Sequence, residues 1–176
     1  GGDAQSAPVD TQKVVLENIL SRRSIRSFKP EQVEKSKIDT ILLAAINAPS
    51  ANNKQPWEVR VVQNAELLGK IKALNEKIFY NSPTLIIVAR DTTNAFGSFD
   101  SGLLTQNILL SAQSMGLGTC SLGSLARLIN SPEGTEIREA LKLPEGYETV
   151  LGISLGYPNE TPDAKPREMT KVQYID

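Results

Sequence analysis

The run Thr84-Leu85-Ile86-Ile87-Val88-Ala89 is continuously apolar over the length of one strand, which is typical of a strand buried on both faces. Residues 96–115 follow it and carry apolar side chains around much of a helix circumference, so we expect this helix at the centre of the fold. Hydrophobic periodicity predicts further helices at residues 14–20, 33–46, 65–77 and 131–141, and strands at 57–62, 119–122 and 148–157. This order predicts an α+β or α/β sandwich in which helices cover a small sheet.

The composition excludes several classes of function. The chain has 176 residues, a length typical of one domain, and its net charge of −1 argues against a nucleic-acid-binding protein. It contains one cysteine, Cys120, and no histidine. An intramolecular disulfide, a His-ligated zinc site and a Ser-His-Asp or Cys-His catalytic group are therefore excluded. No apolar run reaches the roughly 18 to 20 residues of a transmembrane helix.

Residues 1–10 are mostly small and polar and show no hydrophobic period, which predicts a flexible N-terminal arm followed by a single domain at residues 11–176. The first residue is Gly1 rather than methionine. Such an arm is expected after a cleaved export or lipid-anchor signal, as in a protein of the cell envelope. It is equally expected in a trimmed cytoplasmic protein.

The segment Arg22-Arg23-Ser24-Ile25-Arg26 places three guanidinium groups within five residues, directly after the first predicted helix. Arginine offers planar, bidentate donors that match phosphate oxygens, so the segment indicates a phosphorylated ligand. Taken alone, it is also typical of a solvated basic helix end, where cations complement the helix dipole.

Three later segments have similarly ambiguous patterns. The loop at residues 49–57 has amide side chains suited to a heterocycle or polyol, but it is also typical of an ordinary Asn- and Pro-rich turn. Residues 116–124 are glycine-rich without the spacing of a phosphate-binding loop, and their Cys120 is interpreted as a small buried hydrophobe. Lys165-Pro166-Arg167 lies in an extended, Pro-rich tail, where the alternative is a solvated basic stretch.

Together and in this order, these segments resemble the FMN-dependent nitroreductase family over essentially the whole chain after the first ten residues. The resemblance implies an α+β sandwich whose central, mostly antiparallel sheet is covered by helices, in an intertwined homodimer. It also implies FMN at the subunit interface. The segments that carry it are RRSIRSF at 22–28, PSANNKQPW at 49–57, GLGTCSLG at 116–123, LGISLGYP at 151–158 and KPR at 165–167.

The resemblance also implies a role for individual residues. Arg26 is expected near the pyrimidine edge of the flavin, where a cation favours reduction because reduced flavin is anionic around N1 and O2. The other expected contacts are Arg22, Arg23 and Ser24 with the phosphate and ribityl chain, Pro49, Ser50, Ala51, Asn53 and Gln55 from the other subunit, Gly123 and Ser124 near flavin N5, and Lys165 and Arg167 closing on the phosphate.

The implied activity is an FMN-dependent, ping-pong oxidoreductase that passes hydride from NADH or NADPH to a small oxidised acceptor such as a nitroaromatic or quinone. No catalytic side chain is expected, because the flavin carries the chemistry. The chain departs from the family in Ala51, where many members carry serine, and in the short stretch at residues 71–83, where larger members insert a helical lid. Two alternatives are a flavin-binding carrier or sensor without turnover, and an α/β protein for another phosphorylated ligand.

Overall fold

The computed structural model describes residues 6–176, so the first five residues of the predicted arm lie outside the described residues. Helix α1 begins at Thr11, where the Asp10 carboxylate accepts a hydrogen bond of 3.1 Å from the backbone N–H of Lys13. The helices are α1 Thr11–Ser21, α2 Lys35–Ile46, α3 Ala65–Leu74, α4 Gly97–Ser114, α5 Gly123–Asn130 and α6 Thr135–Leu141. The strands are β1 Trp57–Val62, β2 Thr84–Asp91, β3 Gly118–Leu122 and β4 Tyr147–Gly156.

The four strands form one sheet in the order β1-β2-β4-β3, and all three neighbouring pairs are antiparallel. Trp57 of β1 lies opposite Arg90 of β2, and Thr84 of β2 lies opposite Leu155 of β4. Strand β2 is therefore central, as its continuous apolar run predicted. The predicted sandwich with an antiparallel sheet is confirmed.

Both faces of β2 are buried because its side chains alternate between two hydrophobic clusters. Ile86 and Val88 pack with residues of α2 and α4, whereas Leu85 and Ile87 pack with residues of α3, α5 and α6. All four side chains are fully buried, and burial of each stabilises the fold by about 1.5–3 kcal/mol. The sheet is thus the middle layer of three.

Helix α4 lies where its apolar circumference predicted, between α2 and the sheet. Leu104, Ile108 and Ala112 are fully buried on this helix. Helix α1 differs from α4, because none of its residues is buried although Val15, Leu16 and Leu20 are apolar. Among residues 6–176, no helix combines the length and the apolar character needed to cross a membrane.

Three local predictions were wrong in detail. Residues 123–130 form α5, which the sequence analysis did not predict. The helix predicted at residues 131–141 is divided into a 3-10 turn at Pro132–Gly134 and α6, and the Ser131 hydroxyl before it donates to the Leu128 carbonyl at 2.6 Å. The helix predicted at residues 65–77 is α3, which ends earlier, at Leu74. The short stretch at residues 71–83 therefore consists of the end of α3 followed mainly by turns.

Candidate functional site

The basic segment leaves α1 as extended backbone and is fixed along β3. Arg22 follows the last turn of α1 with φ −63° and ψ 135°, so the helix stops there. Ser24 then forms a parallel bridge with Thr119, and Ile25 N donates to the Thr119 carbonyl at 2.8 Å. The Ile25 side chain is 7% exposed. Its burial turns the neighbouring polar side chains of the segment towards the surface.

A small cleft at this surface is lined by basic side chains from two distant parts of the chain. One wall comes from the segment after α1, and the other comes from the extended tail after β4. The structure therefore brings together the residues predicted for the phosphate. The cleft is lined by Arg22, Arg23, Ser24, Arg26, Pro162, Asp163, Lys165 and Arg167.

The cations of this cleft lack acidic partners. Within residues 6–176, none of the five basic side chains forms an ion pair, although Asp163 also lines the cleft. The Arg23 guanidinium donates to the carbonyls of Leu20 and Arg22, both at 2.9 Å, and so also caps the end of α1. The five cations outnumber the one carboxylate of the cleft, so they repel one another, and a bound anion relieves that repulsion. The cleft is thus suited to a phosphate group.

Cys120 lies close to the cleft but is buried at 3% exposure, as the sequence predicted. Burial raises the pKa of its thiol, and the nearby charges of Arg26, Arg22 and Lys165 only partly oppose that rise in pKa. A protonated, inaccessible thiol is a weak nucleophile. Cys120 therefore has a packing role beneath the cleft.

The loop at residues 49–56 is held in a strained shape. Asn52, Asn53 and Gln55 have φ values of 53°, 51° and 50°, in the left-handed region that costs non-glycine residues about 1–3 kcal/mol each. The Ser50 hydroxyl accepts from Gln55 N at 3.0 Å and braces the turn internally. None of the loop residues predicted for the flavin, namely Pro49, Ser50, Ala51, Asn53 and Gln55, lines the basic cleft of the same chain.

The Asp100 carboxylate anchors this loop to the body of the fold. It lies in the first turn of α4, is 2% exposed, and accepts a hydrogen bond of 3.3 Å from Ala51 N. Asp100 was not among the predicted residues, because a single carboxylate inside a helical pattern gives no sign of what it contacts. Glu160, whose carboxylate accepts from Arg26 N at 2.6 Å, was not predicted either.

Gly123 and Ser124, predicted near flavin N5, are the exposed first residues of α5 and lie outside the basic cleft. A β-carbon on Gly123 would meet nothing within 4 Å, so the space above its backbone is open. Strand β3 joins the two places, because it runs from Thr119, beside Ser24, to the start of α5. Four residues of extended chain span roughly 13 Å, a distance suited to an elongated ligand.

Known proteins with similar sequences and structures share one family. Residues 19–78 and 68–157 match the nitroreductase family. The chain is 38% identical over 157 residues to a protein of Methanothermobacter thermautotrophicus with the provisional name NADH dehydrogenase/NAD(P)H nitroreductase, covering 86% of this chain and 81% of that one.

Two solved structures have the same architecture. A nitroreductase with bound FMN from Desulfitobacterium hafniense superposes with a TM-score of 0.84 at 29% identity, covering 92% of this chain and 98% of that one. An FMN-dependent nitroreductase from Clostridium difficile superposes with a TM-score of 0.79 at 30% identity, covering 94% and 100%. From its sequence match and its fold, this chain belongs to the nitroreductase family.

Proposed function

We propose that the chain is an FMN-dependent oxidoreductase that passes hydride from NADH or NADPH to a small oxidised acceptor, such as a nitroaromatic or a quinone. The observation that carries the proposal is the cleft of five cations without acidic partners among the described residues. Relatives with the same architecture include FMN-bound nitroreductases. The Vibrio harveyi relative, 29% identical over 170 residues, is named an NADPH-flavin oxidoreductase.

The residues present fit a flavin mononucleotide. Arg22 and Arg23 can offer bidentate donors to phosphate oxygens, Ser24 adds a hydroxyl, and Lys165 and Arg167 face them from the tail. The five cations exceed the charge of a phosphate monoester, so Asp163 in the cleft wall does not cancel the attraction. Neutral riboflavin lacks the phosphate that this cleft is suited to hold.

The flavin ring is proposed to extend along β3 towards α5, where the missing side chain of Gly123 leaves its backbone open to a flat ligand. Bound FMN supplies the hydride chemistry at its N5 position, so no side chain has to act as a nucleophile. Arg26 is the cation proposed to stabilise the anionic reduced ring. In support of this role, Arg26 is exposed and lines the cleft.

A homodimer is part of this proposal. Between α1 and the helices α2 and α4 runs an open groove of about 740 Å³, and Val14, Val15 and Ile19 of α1 contribute apolar side chains to it. A helix without any buried residue is poorly stabilised in an isolated chain. A second copy that covered this surface would bury the apolar face of α1. It could also bring its Asn/Gln loop to the cofactor of its partner.

The test begins with the visible spectrum of the purified protein and with its molar mass in solution. Anaerobic stopped-flow mixing with NADH and, separately, NADPH then follows flavin absorbance. We expect a yellow dimer whose flavin is bleached by at least one nicotinamide. Bound flavin that neither nicotinamide reduces would contradict the reductase activity and favour a carrier or sensor. A colourless protein that does not take up FMN would favour another phosphorylated ligand.

A further inference from the structure

The tail that closes the basic cleft is attached to the basic segment by a short antiparallel ladder. Its backbone continues from β4 and runs beside residues 27–29 in the opposite direction. The rungs are Lys29 N to Tyr157 O at 2.9 Å, the bridge between Phe28 and Pro158, and Asn159 N to Ser27 O at 2.9 Å. This pairing fixes the direction in which the tail approaches the cleft.

Glu160 adds one further contact at the end of this ladder, made by its side chain. Continued in register, the ladder pairs Glu160 with Arg26, a pair without a backbone hydrogen bond because bonded and non-bonded pairs alternate. The Glu160 carboxylate accepts the Arg26 backbone N–H at 2.6 Å. A hydrogen bond to a charged acceptor is stronger than one between neutral groups. The ladder does not continue to Ile25, because the Ile25 N–H donates to the Thr119 carbonyl of β3 at 2.8 Å.

This contact immediately precedes the part of the tail that lines the cleft. The residues after it that line the cleft are Pro162, Asp163, Lys165 and Arg167. Lys165 and Arg167 are exposed and have no ion-pair partner among the described residues, so neither is held over the cleft by its own contacts. Glu160, just before these residues, has a side chain that is hydrogen-bonded to the basic segment.

We propose that Glu160 is a positioning residue for phosphate recognition: its carboxylate holds the tail on Arg26 so that Lys165 and Arg167 close over the phosphate. This inference rests on the proposed FMN site. The charge of Glu160 would by itself disfavour an anion in the cleft. Its contribution to binding must therefore come through geometry.

Two substitutions of Glu160 distinguish the effect of its hydrogen bond on FMN binding from the effect of its charge. Glu160→Gln removes the charge but keeps an oxygen that can accept the Arg26 N–H, whereas Glu160→Ala removes both. If the carboxylate acted only through its charge, both variants would bind FMN more tightly than the wild type. If it positions the tail, only the alanine variant loses affinity. Glu168→Ala is the matched control, since Glu168 is an exposed tail carboxylate without a side-chain hydrogen bond among the described residues.

The experiment titrates the full chain, freed of bound flavin, with FMN and separately with riboflavin, and follows flavin fluorescence. We expect Glu160→Ala to bind FMN about tenfold more weakly, the loss expected for one charge-assisted hydrogen bond. Its riboflavin affinity should match the wild type, because riboflavin has no phosphate. Glu160→Gln and Glu168→Ala should stay within about threefold of the wild type for both ligands.

Three results would overturn the inference. Unchanged or tighter FMN binding by Glu160→Ala would show that the hydrogen bond from Arg26 N to Glu160 does not position the tail. An equal loss for both flavins would indicate a general structural role. A wild-type protein that binds riboflavin as tightly as FMN would overturn the phosphate site in the proposed function together with this role, and is recognisable before any variant is made.

Discussion

Gly118 lies directly against Ile25: a β-carbon built on Gly118 would come within 2.8 Å of Ile25 Cγ1. Ile25 is the buried residue of the basic segment and lies between Ser24 and Arg26. The absence of a side chain at Gly118 therefore sets how closely the basic segment approaches β3. Gly118, in the glycine-rich segment at residues 116–124, thus has a steric role in the site although it does not line the cleft.

Gly118→Ala should displace Ile25 and, with it, Arg23 and Arg26 of the same segment. Overpacking a buried contact costs about 1–3 kcal/mol of folding stability, so we expect a lower urea midpoint together with weaker FMN binding. Gly69→Ala is the control, because a β-carbon at Gly69 in α3 meets nothing within 4 Å. That variant should be neutral or slightly stabilised. Equal behaviour of the two variants would argue against the steric role.

Arg22→Ala should purify with little flavin and little yellow colour, because a bound phosphate would lose a bidentate partner. Lys29→Ala removes the same charge from an exposed position nearby that does not line the cleft, and should keep its flavin. The flavin-to-protein absorbance ratio after purification measures both variants. Wild-type occupancy in Arg22→Ala would remove Arg22 from the proposed phosphate site.

Asp100→Ala should destabilise the fold by about 1–3 kcal/mol, because the Ala51 N–H would lose its acceptor in a part-buried position. Asp100→Asn keeps an acceptor oxygen and should lose less stability. Urea unfolding of both variants measures the difference. The anchoring role of Asp100 predicts that only the alanine variant loosens the strained loop, detectable as faster amide exchange at residues 51–55. Identical exchange in the two variants would contradict it.

Tyr157→Phe should change how stability depends on pH. A hydrogen bond from the Tyr157 hydroxyl, and then one from Lys37, lower the pKa of Glu34 below its usual 4.5. The folded pKa is below the unfolded pKa, so this contribution is present above pH 4.5 and is lost as pH falls through the folded pKa.

Without the hydroxyl, the pKa of Glu34 should rise towards its usual value, which a carboxyl NMR titration would detect. The stability gap between wild type and Tyr157→Phe should then narrow on going from neutral pH to below pH 4.5. If the difference in unfolding free energy between the two proteins stayed constant across that pH range, the effect of the hydroxyl would be due to packing alone.

The sequence predicted those elements whose residues carry strong periodic patterns. Strand β1 has the predicted bounds Trp57–Val62 because an apolar alternation follows Pro56. Helix α5 escaped prediction because it is short and directly follows glycine-rich sequence, although Leu125, Leu128 and Ile129 lie at helical spacing. Tertiary packing adds to this pattern: a β-carbon on Gly152 of β4 would come within 2.5 Å of Leu125 Cδ2, so the strand is shaped to receive that side chain.

The site was predictable in residue type but not in its supporting contacts. The clustered arginines and the late Lys165 and Arg167 indicate an anion site only when they are taken together with the other segments, and the fold brings them to one cleft. The contacts of Asp100 with Ala51 and of Glu160 with Arg26 join residues 49 and 134 positions apart. Nothing local marks such a pair, since an isolated carboxylate on the surface pattern of a helix or a tail is ordinary.

The ladder between the basic segment and the tail has a consequence for biosynthesis. Arg26 and Glu160, at its end, are 134 residues apart, so at about 5–20 residues per second a ribosome needs roughly 7 to 27 seconds between making the first and the second. During that interval the arginines have emerged without the tail that closes over them. A nascent chain therefore has only one wall of the basic cleft until the tail has been made.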